Sequence, residues 1–335
     1  MNVPEPLQKI MGMISGYWTS QALYVAARLG LADLLKEGPK TAEELASSTQ
    51  THPRSLYRFL SSSASLGLFA EDEQRRFSVT PIGDCLRSDV PGSQRATAII
   101  VGDLLYRAWA ELLYSVQTGK VAFEKAHGLP FFEYLSQNPE QAKVFDEAMG
   151  AHGWATAAIL EVYDFSGIKI LADIGGGNGS AITAILKRYP DMQGILFDLP
   201  GVVERAKPHI QGAGCANRCQ VIGGSFFESV PTGADAYIMR HIIHDWDDEK
   251  STKILKNVHR AMGKDGKLLI AEYVIPPGNV PSMGRGSDLV MLVISGGQER
   301  TEEEFRALFE RAGFCLTKTV PTKVGICVIE GRKVV

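Results

Sequence analysis

A glycine-rich stretch in the second half of the chain has the composition of a ligand-binding turn. Residues 173–180 read DIGGGNGS and follow a short apolar run that predicts a strand. Glycine has no Cβ, so such a turn lets the backbone approach a ligand closely. A second apolar run, GILFD, ends at Asp198, an acid that suits the binding of ribose hydroxyls. The pattern predicts a nucleotide-like ligand at a strand end, and a tight strand–helix turn without a ligand is the alternative.

The glycine spacing discriminates between kinds of nucleotide. A dinucleotide turn, G-x-G-x-x-G, that starts at Gly175 needs glycine or alanine at position 180, where Ser180 stands. The chain instead has glycine at 175, 177 and 179, preceded by Asp173, and this spacing suits a ligand without a pyrophosphate for the helix N-terminus. S-adenosylmethionine, an adenosine joined to an amino acid, is such a ligand, and we expect it as the cofactor.

A second chemical cluster, HIIHDWDDE, spans residues 241–249. An imidazole titrates near neutral pH and can accept a proton during catalysis, which makes His244 a candidate base. A histidine that only makes structural hydrogen bonds is the alternative. Together with His241, the acids of this segment could also suggest a metal site. We predict no metal, because these acids open a helix, where negative charge interacts favourably with the helix dipole.

The bulk composition indicates an ordinary globular protein. The 335 residues carry a net charge of -3, from 35 basic and 38 acidic residues, so there is no overall attraction for nucleic acid or anionic membranes. No apolar run approaches the roughly 18 residues that span a bilayer, and no signal peptide is evident. The 5 cysteines lack a paired zinc spacing, so we expect reduced thiols and a cytoplasmic location.

The first part of the chain predicts helices followed by a β-hairpin. Thr41 and Glu44 form a capping-box pattern at the start of one helix, and two short strands over 68–80 follow the next helix. This order is typical of a winged helix, which either binds DNA or serves as a dimerisation scaffold. The basic residues available for a DNA surface are only Arg54, Arg58, Arg75 and Arg76. So few cations favour the scaffold interpretation.

Beyond residue 168, short apolar runs alternate with helical stretches. This alternation predicts a parallel sheet with crossover helices. A second capping-box pattern, Thr301 with Glu304, begins the last helix. The two strands that follow it, FCLTKTV and GICVIEG, predict an antiparallel edge on the sheet.

Five segments together resemble a known family. They are LADIGGGNG at 171–179, FDLPGVV at 197–203, MRHIIHDWDDE at 239–249, AEYVIP at 271–276 and GGQERTEEEF at 296–305. In this order they are similar to the S-adenosylmethionine-dependent O-methyltransferases of plant and bacterial secondary metabolism. That family includes plant caffeic acid and isoflavone O-methyltransferases and bacterial enzymes that act on antibiotic aromatics. The resemblance runs from about residue 15 to 331.

The resemblance implies a fold and an assembly. It implies a mainly α, winged-helix-like dimerisation domain over 1–95, a helical linker over 96–165 that lines the acceptor pocket, and an α/β Rossmann-like catalytic domain over 166–335. The sheet of that last domain is expected to be mostly parallel, with an antiparallel C-terminal edge. A homodimer through the N-terminal domain is implied as well, with no nucleic-acid or membrane partner.

Methyl transfer to a phenol is an in-line displacement at a sulfonium methyl. The protein must therefore supply a base, orientation and exclusion of water. The resemblance implies that His244 is the base and that two carboxylates, Glu272 and Glu299, flank it. A carboxylate near an imidazole fixes its tautomer and stabilises the imidazolium. For Glu299, a purely structural role on the approach to the last helix is the alternative.

The resemblance also implies a set of cofactor contacts. These are Asp173, Gly175, Gly177, Asp198, Leu199, Ser225, Phe226, Arg240 and Trp246. Two of them depart from the family pattern. Arg240 replaces a lysine common in plant members, and Ser225 stands where the family usually has an aspartate near the adenine amine. A serine can still accept a hydrogen bond, so we expect cofactor binding to survive in weakened form.

A third implied set would contact the methyl acceptor. It consists of Phe132, Phe145, Met149, His152, Asp245 and Met291. Methionines and aromatic residues at helical spacing also fit an ordinary hydrophobic core, which is the alternative for these positions. The stretch 294–297 is one residue shorter than in plant members and lacks their asparagine, so the plant substrates are not carried over.

The function that these observations predict is S-adenosylmethionine-dependent O-methylation of a small aromatic hydroxyl compound. One alternative is a family member diverted to another reaction, such as N-methylation, decarboxylation or hydroxylation. A second alternative is a cofactor-binding regulator that uses the winged helix on DNA. The intact motif around His244 disfavours the first alternative, and the weak basic surface disfavours the second.

Overall fold

The computed structural model describes residues 4–151 and 153–334. Its helices are α1 (Glu5–Arg28), α2 (Leu31–Leu35), α3 (Ala42–Thr49), α4 (Pro53–Ser65), α5 (Pro81–Asp84), α6 (Arg95–Ile100), α7 (Tyr106–Trp109), α8 (Leu112–Thr118), α9 (Ala122–His127), α10 (Phe131–Gln137), α11 (Pro139–Gly150), α12 (Gly153–Val162), α13 (Ser180–Arg188), α14 (Pro200–Gly212), α15 (Asp248–Ala261), α16 (Met283–Ile294) and α17 (Glu302–Arg311). Its strands are β1 (Lys40–Thr41), β2 (Phe69–Glu71), β3 (Arg76–Val79), β4 (Ile170–Ile174), β5 (Gln193–Asp198), β6 (Cys219–Gly223), β7 (Ala236–Arg240), β8 (Lys267–Tyr273), β9 (Phe314–Pro321) and β10 (Ile326–Lys333). A π-helical segment, Val101–Leu105, joins α6 to α7, and a 3₁₀ turn, Ile243–Asp245, follows β7.

The chain forms two compact units. The first comprises the described residues of Met1–Arg107 and Glu140–Ala151, and the second those of Ala108–Pro139 and His152–Val335. The domain limits at 95/96 and 165/166 stay a prediction from the sequence.

The first unit combines helices with a small antiparallel sheet in the order β1-β3-β2. Thr41 and Glu44 form the predicted capping box, since each side chain accepts a hydrogen bond from the backbone N–H of the other residue. The core of this unit is aliphatic and aromatic, with Leu45, Leu60 and Phe77 fully buried. The mainly helical N-terminal part with a short hairpin is thus as predicted.

The second unit contains a seven-stranded sheet in the order β6-β5-β4-β7-β8-β10-β9. The strands from β6 to β8 pair in parallel, whereas β10 pairs antiparallel with both β8 and β9. This is the predicted Rossmann-like sheet with an antiparallel C-terminal edge. Both faces are covered by apolar clusters, as the near-continuous burial along β4 requires.

The strand order reverses at β4, which lies between β5 and β7. In doubly wound sheets, ligands bind outside the carboxyl ends of the strands at such a switch point. The residues that follow β4, β5 and β7 therefore share one edge of the sheet. No helix among residues 4–151 and 153–334 has the length and apolarity needed to cross a membrane.

Candidate active site

The glycine turn, residues 173–179, leaves the carboxyl end of β4 and leads into α13. Gly175, Gly177 and Gly179 adopt φ values of 71°, 58° and 78°, in the left-handed region that favours glycine. The N–H of Gly177 donates to Asp198 Oδ2 at 2.9 Å, which ties the turn to the end of β5. A Cβ on Gly175 would overlap the side chain of Ile242, so this position also needs glycine for space.

Asp173 is the first residue of this stretch and is 1% exposed. Its Oδ2 has no hydrogen-bond partner among the described residues. Burial raises the pKa of Asp173 to about 7, which Arg240 partly opposes and Asp198 reinforces. A buried acceptor without a partner is costly, so this carboxyl fits a ligand that brings hydrogen-bond donors or a positive charge.

The loop after β6 carries Ser225 and Phe226. The N–H of Phe227 donates to Ser225 Oγ at 3.3 Å, which folds the loop back on itself. Asn257, on α15, donates from Nδ2 to the carbonyl of Phe226 at 2.7 Å and is 3% exposed. Sequence reasoning missed Asn257, because an asparagine inside a helix carries no local signal of a distant backbone partner.

Two further predicted cofactor residues lie on other parts of this edge. Leu199 directly follows β5 and is 45% exposed. The Trp246 ring makes edge contacts with Phe226 and Phe227, at centroid distances of 6.1 and 4.8 Å. The predicted cofactor residues thus lie in the loop after β6 and in the segments at the ends of β4, β5 and β7.

The base cluster consists of His244, Asp245, Glu272 and Glu299. His244 lies in the 3₁₀ turn after β7 and is 7% exposed. Its Nδ1 donates to Glu299 Oε1 at 2.7 Å, because a carboxylate oxygen only accepts. The other ring nitrogen, Nε2, lies 3.9 Å from Asp245 Oδ1 and makes no hydrogen bond within residues 4–151 and 153–334. The imidazole is thus held through Nδ1, and Nε2 is the ring nitrogen without a described hydrogen bond.

Glu272 supports the same segment in a different way. Its Oε1 accepts hydrogen bonds from the backbone N–H groups of Ile242, Ile243 and His244, at 3.0, 2.6 and 3.2 Å. The side chain is fully buried at the end of β8. Glu272 therefore holds the backbone of the turn, whereas Glu299 holds the ring.

The charges of this cluster are strongly coupled. Burial lowers the pKa of His244, but Asp245, Glu299 and Glu272 together outweigh burial and raise it to about 10. Burial raises the pKa of Asp245 to about 7 and also raises the pKa of Glu272. The three carboxyl groups therefore favour the protonated form of His244. A further cation in the same site would oppose this effect and lower the pKa of His244.

The backbone of residues 296–300 packs directly against the backbone of the turn that carries His244. The N–H of Gln298 donates to the carbonyl of His244 at 2.9 Å. A Cβ on Gly297 would overlap this same carbonyl oxygen, so the approach requires glycine. Arg300 is fully buried and donates to the carbonyls of Ile243 and Trp246, at 3.2 and 2.9 Å. The family motif signalled Glu299, but not the contacts of Gly297 and Arg300.

The predicted acceptor residues fall into three groups. In the second unit, Phe132 stacks on Trp246 at 5.6 Å between ring centroids, and Met291 is buried on α16. Phe145 and Met149 lie on α11 in the first unit. His152 lies outside the described residues.

The site thus combines a sheet edge suited to a nucleotide-like ligand with a buried histidine–carboxylate pair. Within residues 4–151 and 153–334, no group of His, Cys, Asp and Glu side chains is arranged to hold a metal ion. In an open α/β sheet, ligands bind at the switch point of the strand order, and this site lies there.

Comparison with known proteins identifies the class. The family described as O-methyltransferase domain matches residues 109–315, and the family described as O-methyltransferase dimerisation domain matches residues 11–89. The chain belongs to the S-adenosylmethionine-dependent O-methyltransferase family, and the predicted family, fold class and enzyme class are confirmed.

Individual relatives agree with this membership over almost the whole chain. A phenazine O-methyltransferase, PhzM, of Lysobacter antibioticus is 46% identical over 331 residues, which cover 98% of this chain and 97% of the relative. An 8-amino-8-demethylriboflavin N,N-dimethyltransferase of Streptomyces davaonensis is 35% identical over 316 residues, which cover 92% of this chain and 90% of the relative.

Solved structures agree as well. The crystal structure of LaPhzM has a TM-score of 0.97 and 45% identity, and the match covers 99% of this chain and 100% of that one. NcsB1, an O-methyltransferase from neocarzinostatin biosynthesis solved with S-adenosylmethionine and 2-hydroxy-5-methyl naphthoic acid, has a TM-score of 0.81 and 32% identity, covering 94% and 96%.

Proposed function

We propose that this protein transfers the methyl group of S-adenosylmethionine to a hydroxyl oxygen of a small aromatic acceptor, with His244 as the base. The observation that carries the proposal is the buried hydrogen bond between His244 Nδ1 and Glu299 Oε1 at 2.7 Å. It leaves Nε2 available for the proton of an acceptor hydroxyl. Membership of the O-methyltransferase family supports the same reaction.

The cofactor residues in this proposal line the carboxyl edge of the sheet. They are Asp173, Gly175, Gly177, Asp198, Leu199, Ser225, Phe226, Arg240 and Trp246. The left-handed glycines and the buried, unpartnered Asp173 Oδ2 fit a ligand with amino and hydroxyl donors. When bound, S-adenosylmethionine supplies an electrophilic methyl on sulfur and leaves as S-adenosylhomocysteine. The proposed reaction needs no metal, because the methyl–sulfur bond of the sulfonium breaks to release a neutral thioether, which is a good leaving group.

The base cluster would move one proton. As the acceptor oxygen forms its bond to the methyl carbon, its proton passes to Nε2 of His244. Glu299 keeps the ring orientation through Nδ1–H and stabilises the imidazolium that results. Burial lowers the pKa of His244, but Asp245, Glu299 and Glu272 outweigh it and raise this pKa to about 10. The positive charge of a bound sulfonium would oppose that imidazolium and favour the free imidazole that accepts the proton.

The acceptor is proposed to be aromatic and of modest size. The phenazine enzyme and the naphthoate complex among the relatives support this class. Phe132 stacked on Trp246, together with Asp245 and Met291, would contact it. Phe145, Met149 and His152 are proposed to join them, with 96–165 as the segment that lines the pocket.

We further propose a homodimer formed through the N-terminal domain. Helix α1 exposes a run of large apolar side chains, among them Ile14 and Trp18 at 67% and 63% exposure. The match to a dimerisation domain supports a second copy as their cover. A cytoplasmic location and the absence of nucleic-acid and membrane partners stay predictions from the sequence.

A second candidate function is methylation of an aromatic amine. The relative named as an N,N-dimethyltransferase, at 35% identity, supports it. An amine nucleophile that is already neutral needs no base, so this reaction would depend little on His244. Dependence on His244 therefore separates the two functions.

The test is a screen of aromatic acceptors with methyl-labelled S-adenosylmethionine, run on the full chain beside His244→Ala. We expect label on the oxygen of a phenolic acceptor and a kcat at least about 100-fold lower in the variant, the usual contribution of a general base. The control is His52→Asn, since His52 lies in the first unit and asparagine can still cap α4. Equal turnover of a phenol by His244→Ala would overturn the base role. Labelling of amines alone would favour the second function.

A further inference from the structure

The carboxylate of Glu299 has an uneven set of partners. Its Oε1 accepts two hydrogen bonds, from His244 Nδ1 at 2.7 Å and from Ser287 Oγ at 2.6 Å. Its Oε2 is buried and has no partner among the described residues. The hydrogen bonding of this carboxylate is therefore concentrated on one oxygen, which the imidazole and the serine share.

Ser287 is delivered by a helix that also holds the backbone of Glu299. The next residue of α16, Asp288, accepts from the backbone N–H of Glu299 through Oδ1 at 2.9 Å. The helix is fixed at its start by the Ser282 hydroxyl, which accepts from the N–H of Arg285. Arg285 in turn donates to the carbonyls of Pro276 and Val280. Consecutive residues of an anchored helix thus fix both the backbone and the side chain of Glu299.

We propose that Ser287 is a positioning residue for the base: its hydroxyl orients Glu299 and limits the hold of that carboxylate on His244. The proposal rests on the base role of His244 proposed above. Hydrogen bonds to an ionised acceptor are strong. A hydrogen bond from Ser287 stabilises part of the negative charge of Glu299, which weakens the interaction of that charge with His244. Without the hydroxyl, His244 would be the sole donor to Oε1, and its imidazolium would be held more firmly.

The direction of the effect depends on all the groups around the imidazole. Asp245 and Glu272 face it from its own segment and from β8, and both raise the pKa of His244. The ring centroid of His241 lies 5.2 Å from that of His244, and the ring centroid of Tyr273 lies 5.7 Å from that of His241. Burial raises the pKa of Glu272, which His244 and Arg300 oppose, and Arg300 is itself paired with Asp248. The Ser287 hydroxyl donates to Glu299 and makes no described hydrogen bond with Asp245, Glu272, Tyr273 or Arg300, so its removal acts on the Glu299 contact.

The experiment measures the pKa of His244 in the ligand-free full-length protein by NMR of ring-labelled histidine. The His244 signal is assigned by its loss in His244→Asn. We expect Ser287→Ala to move this pKa upward by about half a pH unit or more, which is a differential interaction of at least about 0.7 kcal/mol. Ser287→Thr retains the hydroxyl and should restore the wild-type pKa. The acid limb of the kcat–pH profile should shift upward in Ser287→Ala, with the KM for S-adenosylmethionine within about twofold, since the serine acts on the base alone.

Ser282→Ala is the matched control, because it removes a hydroxyl from the same helix without touching Glu299. It should leave the His244 pKa in place even if the helix end is weakened. An unchanged or lower His244 pKa in Ser287→Ala, or the same shift in Ser282→Ala, would overturn the proposal. The NMR measurement needs no turnover, so it stands even if His244→Ala retains activity and the base role fails.

Discussion

The glycine turn and the base cluster belong to the same unit but are built in different ways. The glycine turn is made by the backbone of one strand–helix junction, with Asp198 as its nearest long-range tie. The base cluster is assembled from segments far apart in sequence: Glu272 lies 28 residues from His244, and Glu299 lies 55. The turn is a local structure, whereas the cluster exists only when several elements have packed together.

This difference predicts how each region responds to change. A side chain added to a left-handed glycine strains the backbone of the turn. We expect the affinity for the cofactor to fall by the energy of that strain alone, because neighbouring side chains can move aside. In the base cluster, buried groups share partners, so a displacement of one backbone segment alters the ring, its carboxylate and the pKa values together. Catalysis is more sensitive to such a displacement than cofactor binding is.

Among the variants that separate the two regions, Gly297→Ala has the largest expected effect. Its Cβ would overlap the carbonyl oxygen of His244, so the backbone of 296–300 must move and carry Glu299 away from the ring. We expect kcat to fall on the order of 100-fold, because a misplacement of about 1 Å has this effect on catalytic groups. The Kd for S-adenosylmethionine, measured by calorimetry, should change by less than about threefold, since the glycine turn is untouched and Trp246 is the one residue of the proposed cofactor set whose backbone the Cβ would meet.

Two other glycine variants sharpen this comparison. Gly175→Ala brings a Cβ against the Ile242 side chain at a φ of 71°, and should weaken cofactor binding by roughly 5- to 10-fold through about 1 kcal/mol of strain. Gly286→Ala adds a methyl to α16 in open space and should leave both quantities unchanged. If Gly297→Ala and Gly175→Ala lose cofactor affinity equally, the division between the two regions is wrong.

The contrast also explains how much the sequence could predict. Local signals worked: Thr41 with Glu44 and Thr301 with Glu304 form capping boxes in the structure, as their spacing indicates. Strand–helix alternation likewise predicted the parallel sheet and its antiparallel edge. The family resemblance predicted that Glu272 and Glu299 lie beside His244, which they do in the structure.

What the sequence could not predict is which atoms meet. The motif gave two carboxylates near His244, but only the fold shows that Glu272 binds backbone N–H groups while Glu299 binds the ring. Ser287 and Asn257 were missed, because their partners lie 12 and 31 residues away and no periodic pattern encodes a side chain-specific contact. Such contacts depend on how helices pack against the sheet, and this is a property of the whole unit.

A second prediction concerns stability and pH in the base cluster. The pKa of His244 is raised to about 10 in the folded protein, although burial opposes the rise, because Asp245, Glu299 and Glu272 act on it. An unfolded histidine titrates near about 6.5, so the imidazolium contributes stability that is fully present below that pH and is lost towards pH 10. We expect the free energy of unfolding in urea to fall by more than about 1 kcal/mol between pH 7 and 9.5.

His244→Gln is the matched variant for this measurement. It removes the titrating group, so its free energy of unfolding should depend less on pH over the same window, whatever its absolute stability. Asp245 contributes little to the difference, because its pKa, raised by burial to about 7, lies at the lower limit of the window. The same pH dependence in wild type and variant would remove His244 as the group that couples protonation to folding.

The smallest expected effect lies on the cofactor side, at Ser225. The family resemblance places an aspartate here, near the adenine amine, and the serine offers a neutral oxygen instead. In the structure Ser225 Oγ accepts from the N–H of Phe227 at 3.3 Å, a contact that an aspartate at the same position can also accept. Ser225→Asp should therefore keep the loop and tighten the Kd for S-adenosylmethionine by roughly 3- to 10-fold, the gain expected from a charged acceptor.

Calorimetry on three variants isolates this effect from a general gain of charge. Ser229→Asp adds the same charge to an exposed position four residues further on and should leave the Kd unchanged. Ser225→Ala removes the acceptor and should weaken binding. Because Ser225 is remote in the chain from the base cluster, kcat at saturating cofactor should stay the same in all three variants. A drop in kcat for Ser225→Asp without a change in Kd would mean that the two regions are coupled more tightly than their separate construction indicates.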